Sequence, residues 1–215
     1  IKKIVSGVHD KMCACEMGGK NALIVLDDAN LDIAVNAAII SAFKTSGQRC
    51  TSASRLIVHE KVLNEFERRF VETTRRIKIG DPLDENVFMG PVINQAATEK
   101  IGRYNDLAKK EGAQVLLDGG RLTGNEYKKG YFMSPFVYRM ENNPKSHVLH
   151  EEVFGPHVAI IPVKDIDDAI EVHNDTDYGL ASAVITEDFR KARRIRDDCE
   201  YGLGYVNLPT IGAEV

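Results

Sequence analysis

The sequence predicts an α/β fold in which helices pack on an open, largely parallel sheet, Rossmann-like in its alternation. Three observations carry that expectation. Apolar runs of strand length, such as residues 22–26 and 158–163, recur along the chain and read as buried strands. Between them lie segments whose apolar residues repeat at helical spacing. Caps, glycines and prolines punctuate the two kinds of segment.

Taken in order, Ala22-Leu23-Ile24-Val25-Leu26 is the first strand. Asn30 is a good N-cap for a helix carrying Leu31, Val35, Ala38, Ile39 and Ala42, and Gly47 can end it. Residues 55–59 form a second strand candidate. Val62, Phe66, Phe70 and Ile77 mark one face of a long helix that Gly80-Asp81-Pro82 stops. Residues 94–110 read as a helix with Ile101, Tyr104 and Leu107 on one side, and 115–117 as a short strand. Residues 118–135, rich in Gly, Lys and Tyr, read as a surface excursion. The rest alternates: strand 157–163, helix 166–174, strand 181–185, helix 189–198 and a last strand at 205–208. No internal repeat, low-complexity tract or linker is visible.

Composition limits the function classes. The 215 residues carry 28 Lys+Arg against 32 Asp+Glu, a net charge of −4, so the balance argues against a nucleic-acid partner. Hydrophobic content of 43% with 28% charged residues suits a soluble globular chain and not a disordered one. No apolar run approaches the roughly 20 residues of a membrane span. The start, Ile1-Lys2-Lys3, shows no signal-peptide pattern, and the chain reads as a piece cut from a longer one. The four cysteines, Cys13, Cys15, Cys50 and Cys199, are irregularly spaced and the six histidines scattered, so no metal site is expected. Reduced thiols and a cytoplasmic location follow as expectations.

Three constellations could carry chemistry. In Thr45-Ser46-Gly47-Gln48-Arg49-Cys50-Thr51, a cysteine follows a helix end among small and polar residues. A reactive thiol needs a base, a cation or a helix N-terminus to favour its thiolate. A buried, inert cysteine is the alternative. In Cys15-Glu16-Met17-Gly18-Gly19-Lys20-Asn21, two glycines let the backbone pass close to another group, and Glu16 could be a general base or a solvated turn residue. In Glu151-Glu152-Val153-Phe154-Gly155-Pro156, paired acids and an aromatic enter a strand, serving either a site or an exposed turn.

In this order the three motifs resemble the catalytic half of the aldehyde dehydrogenase superfamily. The family's E-L-G-G-K appears as Glu16-Met17-Gly18-Gly19-Lys20, its G-Q-x-C as Gly47-Gln48-Arg49-Cys50, and its E-E-x-F-G-P intact from Glu151 to Pro156. The looser Gly80-Asp81-Pro82, Gly90-Pro91, Asn174-x-x-x-Tyr178-Gly179-Leu180 and Val206-Asn207 follow in order, so the resemblance spans the chain. It implies Cys50 as nucleophile and Glu16 as general base. It implies Met17, Gly18, Glu152 and Phe154 around the nicotinamide end of NAD or NADP, with Lys20 structural and Asn207 lining the active-site region. The substrate would be a small-molecule aldehyde. The semialdehyde branch, including 1-pyrroline-5-carboxylate dehydrogenases, uses a Ser four residues past the nucleophile and a Gly-Ala pair to bind a carboxylate. Ser54 and Gly212-Ala213 match those positions.

The resemblance also implies what this chain lacks. Residues 1–18 correspond to a remnant of the cofactor-binding domain, its last helix and strand, and residues 19–215 to a catalytic domain shortened at its C-terminus. Most of the cofactor site and the family's oxyanion asparagine lie outside the sequence. The chain alone is therefore expected to be inactive, while its full-length parent would act as a homo-oligomer, dimer or tetramer. A cofactor-independent thiol esterase and a non-catalytic assembly module are the competing functions.

Overall fold

The computed structural model describes residues 2–212. After a short helix α1 (Lys2–Val5), the order is β1 (Asn21–Val25), α2 (Leu31–Phe43), β2 (Ala53–His59), α3 (Glu60–Arg75), α4 (Gln95–Lys110), β3 (Gln114–Leu117), β4 (Phe136–Arg139), α5 (His147–His150), β5 (His157–Val163), α6 (Ile166–Asn174), β6 (Ala181–Ile185), α7 (Phe189–Asp198) and β7 (Leu203–Val206). The strands form one seven-stranded sheet in the order β3-β4-β5-β2-β1-β6-β7. All neighbours are parallel except β3 and β4.

Strand alternation builds two cores. Leu23, Val25, Leu56, Val58, Val158 and Ile160 face one side, where α2 and α3 add Ala38, Phe43, Phe66 and Phe70. Ala22, Ile24, Ile57, Ala159, Ile161 and Val184 face the other, against α6 and α7 through Ala169, Val172, Ala192 and Ile195. Helices therefore cover both faces, as a mostly parallel sheet requires. Local signals set the helix starts: the Asn30 side chain accepts from the N–H groups of Asp32 and Ile33, and that of Asn94 from Ala97. Each such cap is worth about 1 kcal/mol.

The structure revises several boundaries. The helix carrying Val62, Phe66 and Phe70 ends at Arg75, leaving Ile77 beyond it. The last strand ends at Val206: Asn207 still donates its N–H to the Val184 carbonyl but turns left-handed at φ 55°. β4 and α5 were not legible as elements. β4 is short and fully paired between β3 and β5, so tertiary pairing defines it. The 118–135 excursion is anchored rather than wholly superficial: Phe132 and Met133 are buried, and Arg121 and Met133 form an isolated bridge. Residues 6–20 hold no regular element, so of the helix and strand expected within residues 1–18 the described residues form a four-residue helix and no strand. No helix among the described residues is long and apolar enough to cross a membrane.

Candidate active site

Three loops meet at the amino ends of neighbouring strands: residues 16–20 before β1, 44–52 before β2 and 151–156 before β5. They enclose a cleft of about 740 Å³ lined by Glu16, Met17, Gly18, Gln48, Arg49, Cys50, Thr51, Glu152, Phe154 and Gly212.

Cys50, half-buried, follows an unusual turn. α2 gives way to a 3₁₀ turn (Lys44–Gly47) in which Thr45, Ser46 and Gly47 take φ of 59°, 58° and 66°. Left-handed backbone costs an ordinary residue about 1–2 kcal/mol, so neighbours must hold it. The Ser46 hydroxyl donates to the Gly90 carbonyl at 2.8 Å. Arg49 Nε donates to the Thr45 hydroxyl at 2.6 Å, and Gln48 Oε1 accepts from Ile93 N–H at 2.9 Å. Gly47 is needed twice over, since a Cβ there would sit 2.5 Å from the Gly155 carbonyl oxygen. Arg49 thus points to Thr45, which gives its guanidinium a partner other than the thiol.

The glycine pair sits between the other two motifs. Gly19 N–H donates to Glu152 Oε1 at 2.9 Å. A Cβ on Gly18 would fall 2.4 Å from Glu152 Oε2, and one on Gly19 2.4 Å from the Cys50 carbonyl oxygen. The glycines therefore allow the nucleophile turn and the acidic loop to close on one strand entrance. Phe154, 39% exposed at the cleft, holds a left-handed φ of 62°, the kind of local strain found at ligand-facing positions.

Lys20 and Asn21 lock the arrangement from behind. Lys20, 2% exposed, donates through Nζ to the carbonyls of Val148 and Glu151, both at 2.8 Å. Burial, with Arg55 nearby, pulls its pKa from 10.5 to about 7. A neutral amine still offers two N–H donors, which matches two carbonyls. Arg55, also buried, donates to the carbonyls of Lys20, Val172 and His173. Burial lowers its pKa to about 10. Asn21 Nδ2 donates to the carbonyls of Cys50 and Ser52 at 2.7 and 2.9 Å. Thr210, fully buried, donates its hydroxyl to the Thr51 carbonyl, tying the C-terminal loop beside Cys50.

Of the residues singled out in the sequence, Cys50, Glu16, Met17, Gly18, Glu152, Phe154 and Gly212 share the cleft. Glu16 is exposed and Met17 is 73% exposed. Ser54 does not line it: β1 and β2 shift register between Asn21 and Ala22, Ser54 is the skipped residue, and it faces a narrow crevice with Gly47, Gly155 and His157. Asn207 does not line it either. Its amide accepts from Thr186 N–H and donates to the Thr186 carbonyl, both at 3.0 Å, which commits it to the β6–β7 edge. Ala213 lies outside the described residues. Asn21 and Thr210 are the contributors that residue patterns did not reveal, since a lone Asn or Thr at an element end reads as a cap. Among the described residues, no group of three or more His, Cys, Asp or Glu is arranged to hold a metal ion.

A model of the "Aldehyde dehydrogenase family" matches residues 1–215. A 1-pyrroline-5-carboxylate dehydrogenase of Geobacillus sp. (strain WCH70) is 40% identical over 205 residues, covering 95% of this chain and 39% of that protein. An alpha-ketoglutaric semialdehyde dehydrogenase of Bacillus subtilis (strain 168) is 36% identical over 93% of this chain and 41% of its own length. A betaine aldehyde dehydrogenase (P449M point mutant) from Staphylococcus aureus, solved with NAD+ and a BME-modified cysteine, superposes with a TM-score of 0.87 at 35% identity, over 92% of this chain and 40% of that one. The chain thus spans about two fifths of the length of these relatives.

Proposed function

The chain belongs to the aldehyde dehydrogenase family, and from that premise we propose that the protein containing it oxidises an aldehyde to a carboxylic acid through a covalent intermediate on Cys50, with NAD(P)+ as oxidant. One observation carries the reading: Cys50, Glu16 and the Gly18–Glu152–Phe154 surface line a single cleft.

The cofactor's fit rests on that surface. Gly18 has no side chain where a Cβ would meet the Glu152 carboxylate, and the Phe154 ring flanks the same opening. Met17 and Gly18 would pass along the nicotinamide end, Glu152 would accept hydrogen bonds from ribose hydroxyls, and Phe154 would pack beside the ring. When bound, the nicotinamide takes up a hydride.

The chain's own residues do the rest. The Cys50 thiolate adds to the aldehyde carbon, giving a thiohemiacetal whose oxyanion the Cys50 N–H would stabilise; such a donor is worth about 3–4 kcal/mol when preorganised. Loss of hydride leaves a thioester on Cys50. Glu16 takes a proton from water, the resulting hydroxide attacks the thioester carbon, and the acid leaves as the thiolate is restored. Glu16 is exposed at the cleft on a segment without regular structure.

For the substrate, a carboxylate-bearing semialdehyde suits the names of the two curated relatives and the presence of Gly212 in the cleft, where loop N–H groups can receive an anion. Ser54 would assist only from the adjoining crevice. Residues 1–18 would close a cofactor domain and residues 19–215 form the catalytic one, in a soluble cytoplasmic homo-oligomer. The test is rapid mixing of the full-length enzyme with NAD(P)+ and a panel of aldehydes and semialdehydes. Cys50→Ala should abolish reduced cofactor. Glu16→Gln should keep a first-turnover burst and slow the steady state. Ester hydrolysis with no cofactor reduction would instead make the protein a thiol esterase.

A further inference from the structure

We propose that Asn21 is a positioning residue that sets the main chain of Cys50 in the cleft; this rests on the nucleophile reading above. The side chain is 3% exposed. Its two amide protons go to the carbonyls of Cys50 at 2.7 Å and Ser52 at 2.9 Å, and its oxygen accepts from Ala181 N–H at 2.9 Å. One side chain therefore joins the entrance of β1, the turn that carries the nucleophile and the entrance of β6.

The sheet explains why a side chain is needed there. Asn21 pairs with Ala53 but Ala22 pairs with Arg55, so the β1–β2 ladder skips a residue as it reaches the nucleophile turn. Such a bulge disrupts regular main-chain hydrogen bonding. The Asn21 amide supplies donors to two carbonyls just upstream of that gap. Only an amide of this length has two donors and an acceptor in place. An Asp would set an acceptor against two carbonyl oxygens, and a Ser has one proton to give. Gly19 makes room, since a Cβ on it would lie 2.4 Å from the Cys50 carbonyl and 2.8 Å from both terminal atoms of the Asn21 amide. Asn21 meets Cys50 at its carbonyl, so Asn21 acts by orientation.

The experiment compares wild type, Asn21→Asp, Asn21→Ser and Cys50→Ala in the full-length enzyme, by burst kinetics, KM for cofactor and thermal unfolding. Asn21→Asp keeps the shape and the bond from Ala181 N–H, and Asn21→Ser avoids the added charge. The expected result is a burst rate lowered about 10- to 100-fold, the scale of a misplaced reacting group, with the KM for NAD(P)+ unchanged. Either variant keeping the wild-type burst rate overturns the proposal. So does a loss of rate matched by an equal rise in cofactor KM and a melting point lowered in step, which marks a structural residue. A wild-type enzyme that reduces no cofactor with any aldehyde overturns the aldehyde oxidation itself, a result separable from a wild-type first-turnover rate left intact in both Asn21 variants.

Discussion

Gly18 and Gly19 are adjacent and identical, yet the structure gives them different obligations. A Cβ on Gly18 meets the end of the Glu152 side chain, which can swing away. A Cβ on Gly19 meets the Cys50 carbonyl, which cannot move without its turn. Gly19→Ala should therefore destabilise the fold by about 1–3 kcal/mol, the usual cost of forced overpacking. Gly18→Ala should leave stability nearly unchanged and raise the KM for NAD(P)+ by displacing Glu152. Denaturant unfolding and cofactor titration separate the two, and equal unfolding losses would reject the distinction. This contrast was not legible in the sequence, where the motif presents two equivalent glycines. Cys50, Glu16 and Glu152 were legible because their spacing repeats a known pattern. Asn21 was not, because its three partners lie at residues 50, 52 and 181, and only the fold brings them together.

At the scale of elements, the entrance of β1 is held by two buried basic side chains, with Glu151 and Glu152 among the charges that act on Lys20. Lys20 and Arg55 both donate to carbonyls, and Arg55 adds to the burial that lowers the affinity of Lys20 for protons. Lys20 has a pKa near 7 in the native protein and 10.5 as its ordinary value. Between those limits the unfolded chain holds a proton that the native one lacks, so raising the pH favours the native state. Below about 7 both states are protonated and the burial penalty is constant. Lys20→Met removes the group, so the stability of wild type relative to this variant should rise from about pH 7 towards 10, by at most about 1.4 kcal/mol per pH unit. Guanidinium unfolding across that range measures the difference, and a flat difference would contradict a neutral buried amine. Helices and long strands were readable here from periodicity and caps, β5, α6, β6 and α7 to the residue. β4 was not, because its strand state depends on pairing with β3 and β5.

At the scale of the whole molecule, the position of the cleft constrains what the chain can bind alone. Open α/β sheets usually take ligands at the carboxyl ends of their strands, where helix N-termini face phosphates. The cleft here lies at the amino ends of β1, β2 and β5. On the proposed reading the cleft offers a dinucleotide the surface of Gly18, Glu152 and Phe154, and Met17 and Phe154 are exposed. A pyrophosphate and an adenine would need groups from elsewhere in a longer polypeptide. The 215-residue chain, folded by circular dichroism, should therefore give no measurable heat with NAD+ in calorimetry, while the full-length enzyme binds it. The two buried cores around one continuous sheet make a folded chain the expectation, so a null titration would report a missing half of the site and not a collapsed protein. Tight NAD+ binding by the chain alone would mean that the cofactor is held by a surface other than this cleft.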